Sequence, residues 1–421
     1  MMFLLSVAAV IAVAVATRRF PVVAVVVVLA LAIALPYGAA QRSLGTSWHP
    51  ATLLTIAVAV VQLVRRPALH GVTVARMIGP LVAIGGFVAV ACVTSYATGR
   101  TGSLGTIVLQ IVAPCLMLLV IRSAIQADPT AGPRIARWVI VLAVAEALAV
   151  VGIASGIVPQ PWQSFVVESR WWSVSPERMV GTLDHPLVAA LWMAAAVPLV
   201  AVLRRLWVRA AVALVLIAAI ALTGSRLGLV VAVVTFVVVL LRSRAHPFLL
   251  LTTTVLAGAV GAVLLAGTVG DTVTARFEDD EGSSAQRGKV LRLAGRIWTE
   301  TIVVGRGLGA SEESTRNALI GSTFENPLLM FTVDFGVVAT LLFFGALVAF
   351  IVSRPSSPRV TGARLAAIGA LACVVGFNSL STNTAVGTLL FTVLALAAPA
   401  MTRPGPSSTT SHPRTRSELR A

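Results

Sequence analysis

Apolar residues run through the chain in long stretches, interrupted by short clusters of Arg, Pro, Gly and polar side chains. Runs near 2–16, 20–36, 51–64, 77–97, 104–121, 136–157, 186–203, 206–222, 227–241, 247–267, 327–352, 362–379 and 385–401 read as helices. A helix crossing a bilayer needs about 20 mainly apolar residues. Several runs are shorter than that, and the first two form either two spans or one re-entrant pair. The pattern predicts an all-α, polytopic transmembrane helical bundle of about 12–13 spans. Met1–Thr17 lacks a positive leading region and a small-residue cleavage site, so it reads as a retained helix and not a signal peptide.

Composition sharpens this reading. Of 421 residues, 57% are hydrophobic and 11% charged. A soluble domain carries about 25% charged residues, and its core could not bury so much apolar surface. A soluble globular enzyme, a disordered chain and a fibrous repeat are therefore excluded. The net charge of +16 comes from 32 basic and 16 acidic residues. Nucleic acid is not the partner this implies; the lipid bilayer is, because the arginines gather at helix ends. With the Arg18–Arg19 turn placed in the cytoplasm, alternation brings Arg65, Arg66, Arg76, Arg122, Arg134, Arg137, Arg204, Arg205, Arg209, Arg242, Arg244, Arg354, Arg359 and Arg364 to the same side. Most acidic residues fall on the other side. The outer loops break the trend at Arg42, Arg100, Arg170, Arg178 and Arg226. Residues 1–401 make one transmembrane domain. Its outer loops 158–185 and 268–326 form the expected site, and the Ser/Thr/Pro/Arg-rich 402–421 is a disordered cytoplasmic tail. Cys92, Cys115 and Cys373 lie inside apolar runs and make neither a disulfide framework nor a metal cluster.

The long loop holds an acidic run, Glu278 to Glu281, then an amphipathic helix over 285–302. Val290, Leu293, Ala294, Ile297 and Trp298 fall on one stripe, with Arg287, Lys289, Arg292 and Arg296 around it. Such a helix lies at the membrane–water interface or packs on the bundle. Gly305-Arg306-Gly307-Leu308-Gly309 follows a helix and not a strand, which speaks against a dinucleotide fold.

Charged groups held near a membrane are costly, so each is a functional candidate. Arg226, in a turn between two apolar runs, either snorkels to water or clamps an anion, since a guanidinium forks onto phosphate oxygens. Arg178 has the same two readings, and Arg170 is its weaker neighbour. His185, before Pro186, is a helix cap or a ligand, and no second His or Cys nearby makes it part of a metal site. Asn326 and Pro327 suit the start of a helix, and Glu325 beside them complements its dipole or acts as a general base. Glu146 and Asp334, inside apolar runs, belong either to a proton relay or to helix pairing.

Three blocks together resemble the O-antigen ligase and O-antigen polymerase family of bacterial envelope proteins. They are Arg178-Met-Val-Gly181-Thr182-Leu-Asp-His185-Pro186, then Thr223-Gly224-Ser225-Arg226-Leu-Gly228, then Gly295-Arg296-Ile297-Trp298 through Gly305-Arg306-Gly307-Leu-Gly309 to Glu325-Asn326-Pro327-Leu328-Leu329. The family shows similar blocks in this order, covering roughly 170–350 of this chain. This chain departs from it in having Glu325 where members mostly carry His, Leu187 after the proline, Leu227 after the Ser-Arg pair and Leu329 in place of an aromatic. The resemblance implies a bundle like the polytopic GT-C glycosyltransferases, sited in the bacterial inner membrane and working on its outer face. It implies glycosyl transfer without metal or other cofactor, from a glycan on a polyprenyl diphosphate to a hydroxyl of a second glycan or lipid-anchored acceptor, with inversion. Arg226 and Arg178 would hold the diphosphate, and Glu325 would be the catalytic base. Arg170, His185, Arg296 and Arg306 would be further site residues. Other envelope polysaccharide assembly proteins are the implied protein partners. A lipid-linked glycan flippase and a non-catalytic member of the same fold are the alternatives.

Overall fold

The computed structural model describes residues 2–44, 48–101, 104–164, 178–242, 280–320, 324–352, 358–377, 380 and 385–398. The expected span 247–267, Arg170 with Trp171 and Trp172, and the tail 402–421 lie outside them. Among the described residues the regular structure is helix, with no strand.

The helices are α1 (Met2–Ala16), α2 (Pro21–Ala34), α3 (Tyr37–Leu44), α4 (Pro50–Arg65), α5 (Pro67–Arg76), α6 (Ile78–Ala97), α7 (Leu104–Ala127), α8 (Ala131–Ala154), α9 (Pro186–Leu199), α10 (Leu206–Leu222), α11 (Arg226–Arg242), α12 (Asp280–Trp298), α13 (Ala310–Asn317), α14 (Pro327–Phe335), α15 (Val337–Val352), α16 (Pro358–Gly376) and α17 (Val386–Ala397). Their starts are written in the sequence. Proline opens α2, α4, α5, α9 and α14, where its missing N–H costs nothing and its fixed φ already suits a helix. His49, His185 and Asn326 cap α4, α9 and α14 by accepting the N–H of Ala51, Leu187 and Leu328.

Among the described residues three helices, α6, α7 and α8, are long and apolar enough to cross a membrane, or four spans if α4 and α5 count as one bent pair. In α6 only 28% of the apolar window is buried within the protein. Val82, Val93 and Tyr96 face outward from it, an arrangement suited to lipid and costly in water. By contrast α9 is buried along almost its whole length. It packs against α8, α10, α11, α16 and α17, as expected of a helix that is apolar on all sides.

Several features depart from the expected runs. The chain bends by 108° between α4 and α5, because Pro67 cannot continue the first helix. Helix α5 then lies on α7 through Ser123 Oγ and His70 Nδ1 (3.0 Å) and Thr73 Oγ1 and Gln126 Oε1 (2.7 Å). The run 327–352 is two helices, broken at Gly336 with φ +93°. A cluster of Phe87, Phe331, Phe335 and Phe343, with ring centroids 4.7–5.9 Å apart, locks the two halves to α6. Helix α7 contains a π-helical stretch at Val108–Val112, where Gly387 N donates to Gln110 Oε1 at 3.1 Å. The amphipathic helix begins earlier than expected, at Asp280. Its stripe is turned into the protein at Val290, Ala294 and Ile297, while Trp298 stays half exposed. Packing on the bundle is therefore what that stripe does, and α14 is one of its neighbours.

Candidate functional site

The segment 178–185 is tied down at nearly every residue. Met179 N donates to Leu222 O (3.2 Å), and Arg178 Nε donates to Thr223 O (3.0 Å). Gln160 Nε2 donates to Gly181 O (2.8 Å). Gly181 takes φ +62°, and a Cβ there would fall 2.0 Å from Glu146 Oε1. Thr182 N lies 3.1 Å from Glu146 Oε1 and 3.3 Å from Oε2. Asp184 Oδ2 accepts Tyr37 N (3.1 Å), so its carboxylate sits at the start of α3. His185 closes the segment as the cap of α9. One short stretch thus joins the ends of α2, α3, α9 and α10 to Glu146 in the body of α8.

The second block, Thr223 to Gly228, is the turn from α10 to α11. Thr223 Oγ1 donates to Ile220 O (2.6 Å) at the end of α10. Gly224 follows at φ +64°, the left-handed position that ends a helix. Ser225 Oγ accepts Gly228 N (3.2 Å) and caps α11. A Cβ on Gly228 would lie 3.0 Å from Ala190 Cβ, so glycine lets α11 approach α9. Leu227 occupies the space where a Cβ on Gly376 of α16 would stand. Arg226 is then the first residue of α11. A cation there opposes the helix dipole, so the helix itself does not account for it.

These two blocks meet. Arg178 lies on the turn that presents Arg226: a Cβ on Gly224 would be 3.3 Å from Arg178 Nε and 3.6 Å from its Cγ. Its charge also reaches His185. Burial first, and then Arg178, hold the His185 imidazole down at about 4. Its Nδ1 accepts the Leu187 N–H, which leaves the single proton of a neutral ring on Nε2. Burial lifts the Asp184 carboxyl to about 6 against the backbone N–H bonds it accepts. His49 is held at about 4, again by burial. It stacks on Tyr37 with centroids 4.1 Å apart, and its Nε2 faces Leu35 O at 2.8 Å.

The third block forms an assembly on α14. Asp334 Oδ1 accepts Ser311 N (2.8 Å) and Oδ2 accepts Gly309 N (3.1 Å), capping α13. The glycines are there for close approach. A Cβ on Gly305 would meet Asp334 O at 2.2 Å, and one on Gly307 would meet Thr98 Oγ1 at 2.2 Å. Leu308 N donates to Ser95 Oγ (3.2 Å). Arg306 pairs with Glu300 at the surface, and Arg100 pairs with Glu313. Arg296 is exposed on α12. Glu325 is half-buried beside the Asn326 cap. The helix it precedes, α14, and the helix that Arg226 opens, α11, both pack on α16.

The structure therefore brings Arg178, His185 and the turn of Arg226 together and sets Arg306 in a surface ion pair. Of the two acids expected in a relay or in helix pairs, Asp334 joins α14 to the neighbouring helix α13 by capping it, and Glu146 binds the loop at Thr182. Sequence reasoning had no signal for Glu146 as the partner of Thr182, since 36 residues separate them. A glycine–threonine pair and a lone acid in an apolar run were the only hints. Among the described residues no three His, Cys, Asp or Glu side chains converge as metal ligands. No family model matches the chain, and no curated protein matches it.

Proposed function

We propose that this is a polytopic protein of the bacterial inner membrane that transfers a glycan from a polyprenyl diphosphate to an acceptor hydroxyl on the extracytoplasmic side. The reading is carried by one observation: Arg178 is laid across the turn whose next residue, Arg226, opens α11. Two guanidinium groups beside a helix N-terminus suit the oxygens of a diphosphate. Both belong to the loop end of the bundle, where a lipid headgroup would lie.

Charge develops on the diphosphate as the glycosidic C–O bond breaks. Fixed cations at that point stabilise the leaving group without reorganisation. The bond from Arg178 Nε to Thr223 O fixes the plane of the guanidinium, which lysine could not reproduce. Glu325 takes the proton of the attacking acceptor hydroxyl. The hydroxyl oxygen attacks the anomeric carbon opposite the diphosphate and inverts it. The polyprenyl chain lies along the apolar helices in the bilayer. The acceptor is a second lipid-linked glycan or a lipid-anchored polymer.

The test uses purified full-length chain with labelled polyprenyl-diphosphate glycan and acceptor. Arg226→Ala is expected to remove product while leaving membrane insertion unchanged. Parental turnover by that variant refutes the clamp. Glu325→Gln is expected to be inactive and Glu325→His active; full turnover by Glu325→Gln refutes the base. A single transferred block identifies a ligase and a ladder a polymerase. Donor crossing proteoliposomes with no new glycosidic bond identifies a flippase and overturns the proposal.

A further inference from the structure

Glu146 is a carboxyl group that the transfer reaction does not use, and its surroundings raise a question of proton count. It is 1% exposed, and among the described residues no Arg, Lys or His pairs with it. Its partners are the Thr182 and Leu183 N–H groups and the Thr182 hydroxyl. Thr182 Oγ1 stands 2.5 Å from Glu146 Oε2 and 3.0 Å from Ile33 O. A threonine hydroxyl has one proton to donate, and a carbonyl oxygen has none. If Glu146 were ionised, Thr182 would face two acceptors with one proton.

Ile33 O has first call on that proton. It lies in the last turn of α2, where carbonyls lose their helical partners. Residue 36 is proline and has no N–H, and the N–H of residue 37 is given to Asp184. Thr182 is thus the donor that satisfies a buried carbonyl. The remaining short contact is then satisfied only by a proton on Glu146. The Thr182 and Leu183 N–H groups answer part of a carboxylate's charge, but among the described residues no cation answers the rest in this buried place.

We infer that Glu146 is held as a neutral carboxylic acid that donates to Thr182 Oγ1, while Thr182 donates to Ile33 O, and that this chain of bonds positions the segment carrying Arg178. Glu146 is a positioning residue: it touches Thr182 and the backbone at Gly181, and Arg178 lies three residues before Gly181 on the same tethered stretch. The inference concerns the same loop as the transferase reading. Its experiment measures the proton and the loop themselves, so either idea can fail without the other.

The experiment uses the full chain in detergent at neutral pH. The infrared difference spectrum of parent minus Glu146→Gln is expected to contain the C=O stretch of a protonated carboxylic acid. A difference spectrum holding carboxylate bands alone overturns the neutral acid. Limited trypsin cleavage after Arg178 reports the loop. Gln offers an N–H to Thr182 Oγ1 and a carbonyl to Thr182 N, so Glu146→Gln is expected to be cleaved at the parental rate. Glu146→Ala and the isosteric Thr182→Val are expected to be cleaved about tenfold faster, the effect of losing a buried hydrogen bond. Parental cleavage rates in both of these variants overturn the positioning role. Fast cleavage of Glu146→Gln overturns the proton assignment, because it would mean that a donor at this position does not suffice.

Discussion

Gly181→Ala tests the local geometry most directly. Gly181 has φ +62°, and an added Cβ would lie 2.0 Å from Glu146 Oε1, 2.7 Å from its Cδ and 3.0 Å from Val150 Cγ2. Two costs add. A left-handed backbone costs an L-residue about 1–2 kcal/mol. The Cβ also drives out the buried carboxyl, and each buried hydrogen bond it abandons at Thr182 costs about 1–3 kcal/mol. The sum is about 3 kcal/mol or more, a large share of the roughly 5–15 kcal/mol by which a folded domain is stable. Gly85→Ala is the control: Gly85 is inside α6, and nothing lies within 4 Å of a Cβ there. Alanine should favour that helix by about 0.5–1 kcal/mol. The assay heats each purified variant in detergent and measures the fraction remaining monodisperse. Gly181→Ala should melt well below the parent and Gly85→Ala at or above it. Coincident melting of the two variants would refute the packing of Gly181 on Glu146.

Acid should work against the two histidines at this end of the protein. His185 and His49 are held at about 4 against an ordinary value of 6.5, so between pH 6.5 and 4 the unfolded chain takes up protons that the folded chain refuses, and stability falls with pH. Asp184, raised to about 6, works in the opposite sense over roughly the same window and offsets part of the loss. His185→Asn should flatten the fall in melting temperature across that window, because asparagine still caps α9; an unchanged slope would remove His185 as a cause. Arg100→Ala breaks the exposed pair with Glu313 and should leave the melting temperature nearly unchanged, more so in high salt; a large drop would show that this ion pair holds α13. Gly305→Ala puts a Cβ 2.2 Å from Asp334 O and Phe335 N and should detach α13 from α14, seen as faster amide exchange across Ser311–Thr315; exchange at the parental rate would contradict that contact.

Pattern alone determined a good deal. The all-helical character, the apolar class of α6, α7 and α8, and the prolines and caps at helix starts could all be read locally, because a cap or an apolar run is a matter of neighbouring residues. So could the Thr223–Arg226 turn, whose threonine, glycine and serine each have a fixed task within six residues. The break at Gly336 could not. Gly336 looks like any glycine in an apolar run until Val303 O is found 2.8 Å from where its Cβ would be. At Pro67 the break itself is written in the sequence, but where Pro67–Arg76 then lies is set by Ser123 and Gln126 of α7. The pairing of Arg178 with Thr223, of Glu146 with Thr182 and of Asp334 with the start of α13 was decided by tertiary structure alone. A buried carboxyl must find a donor, and sequence shows that need but not which distant backbone will meet it.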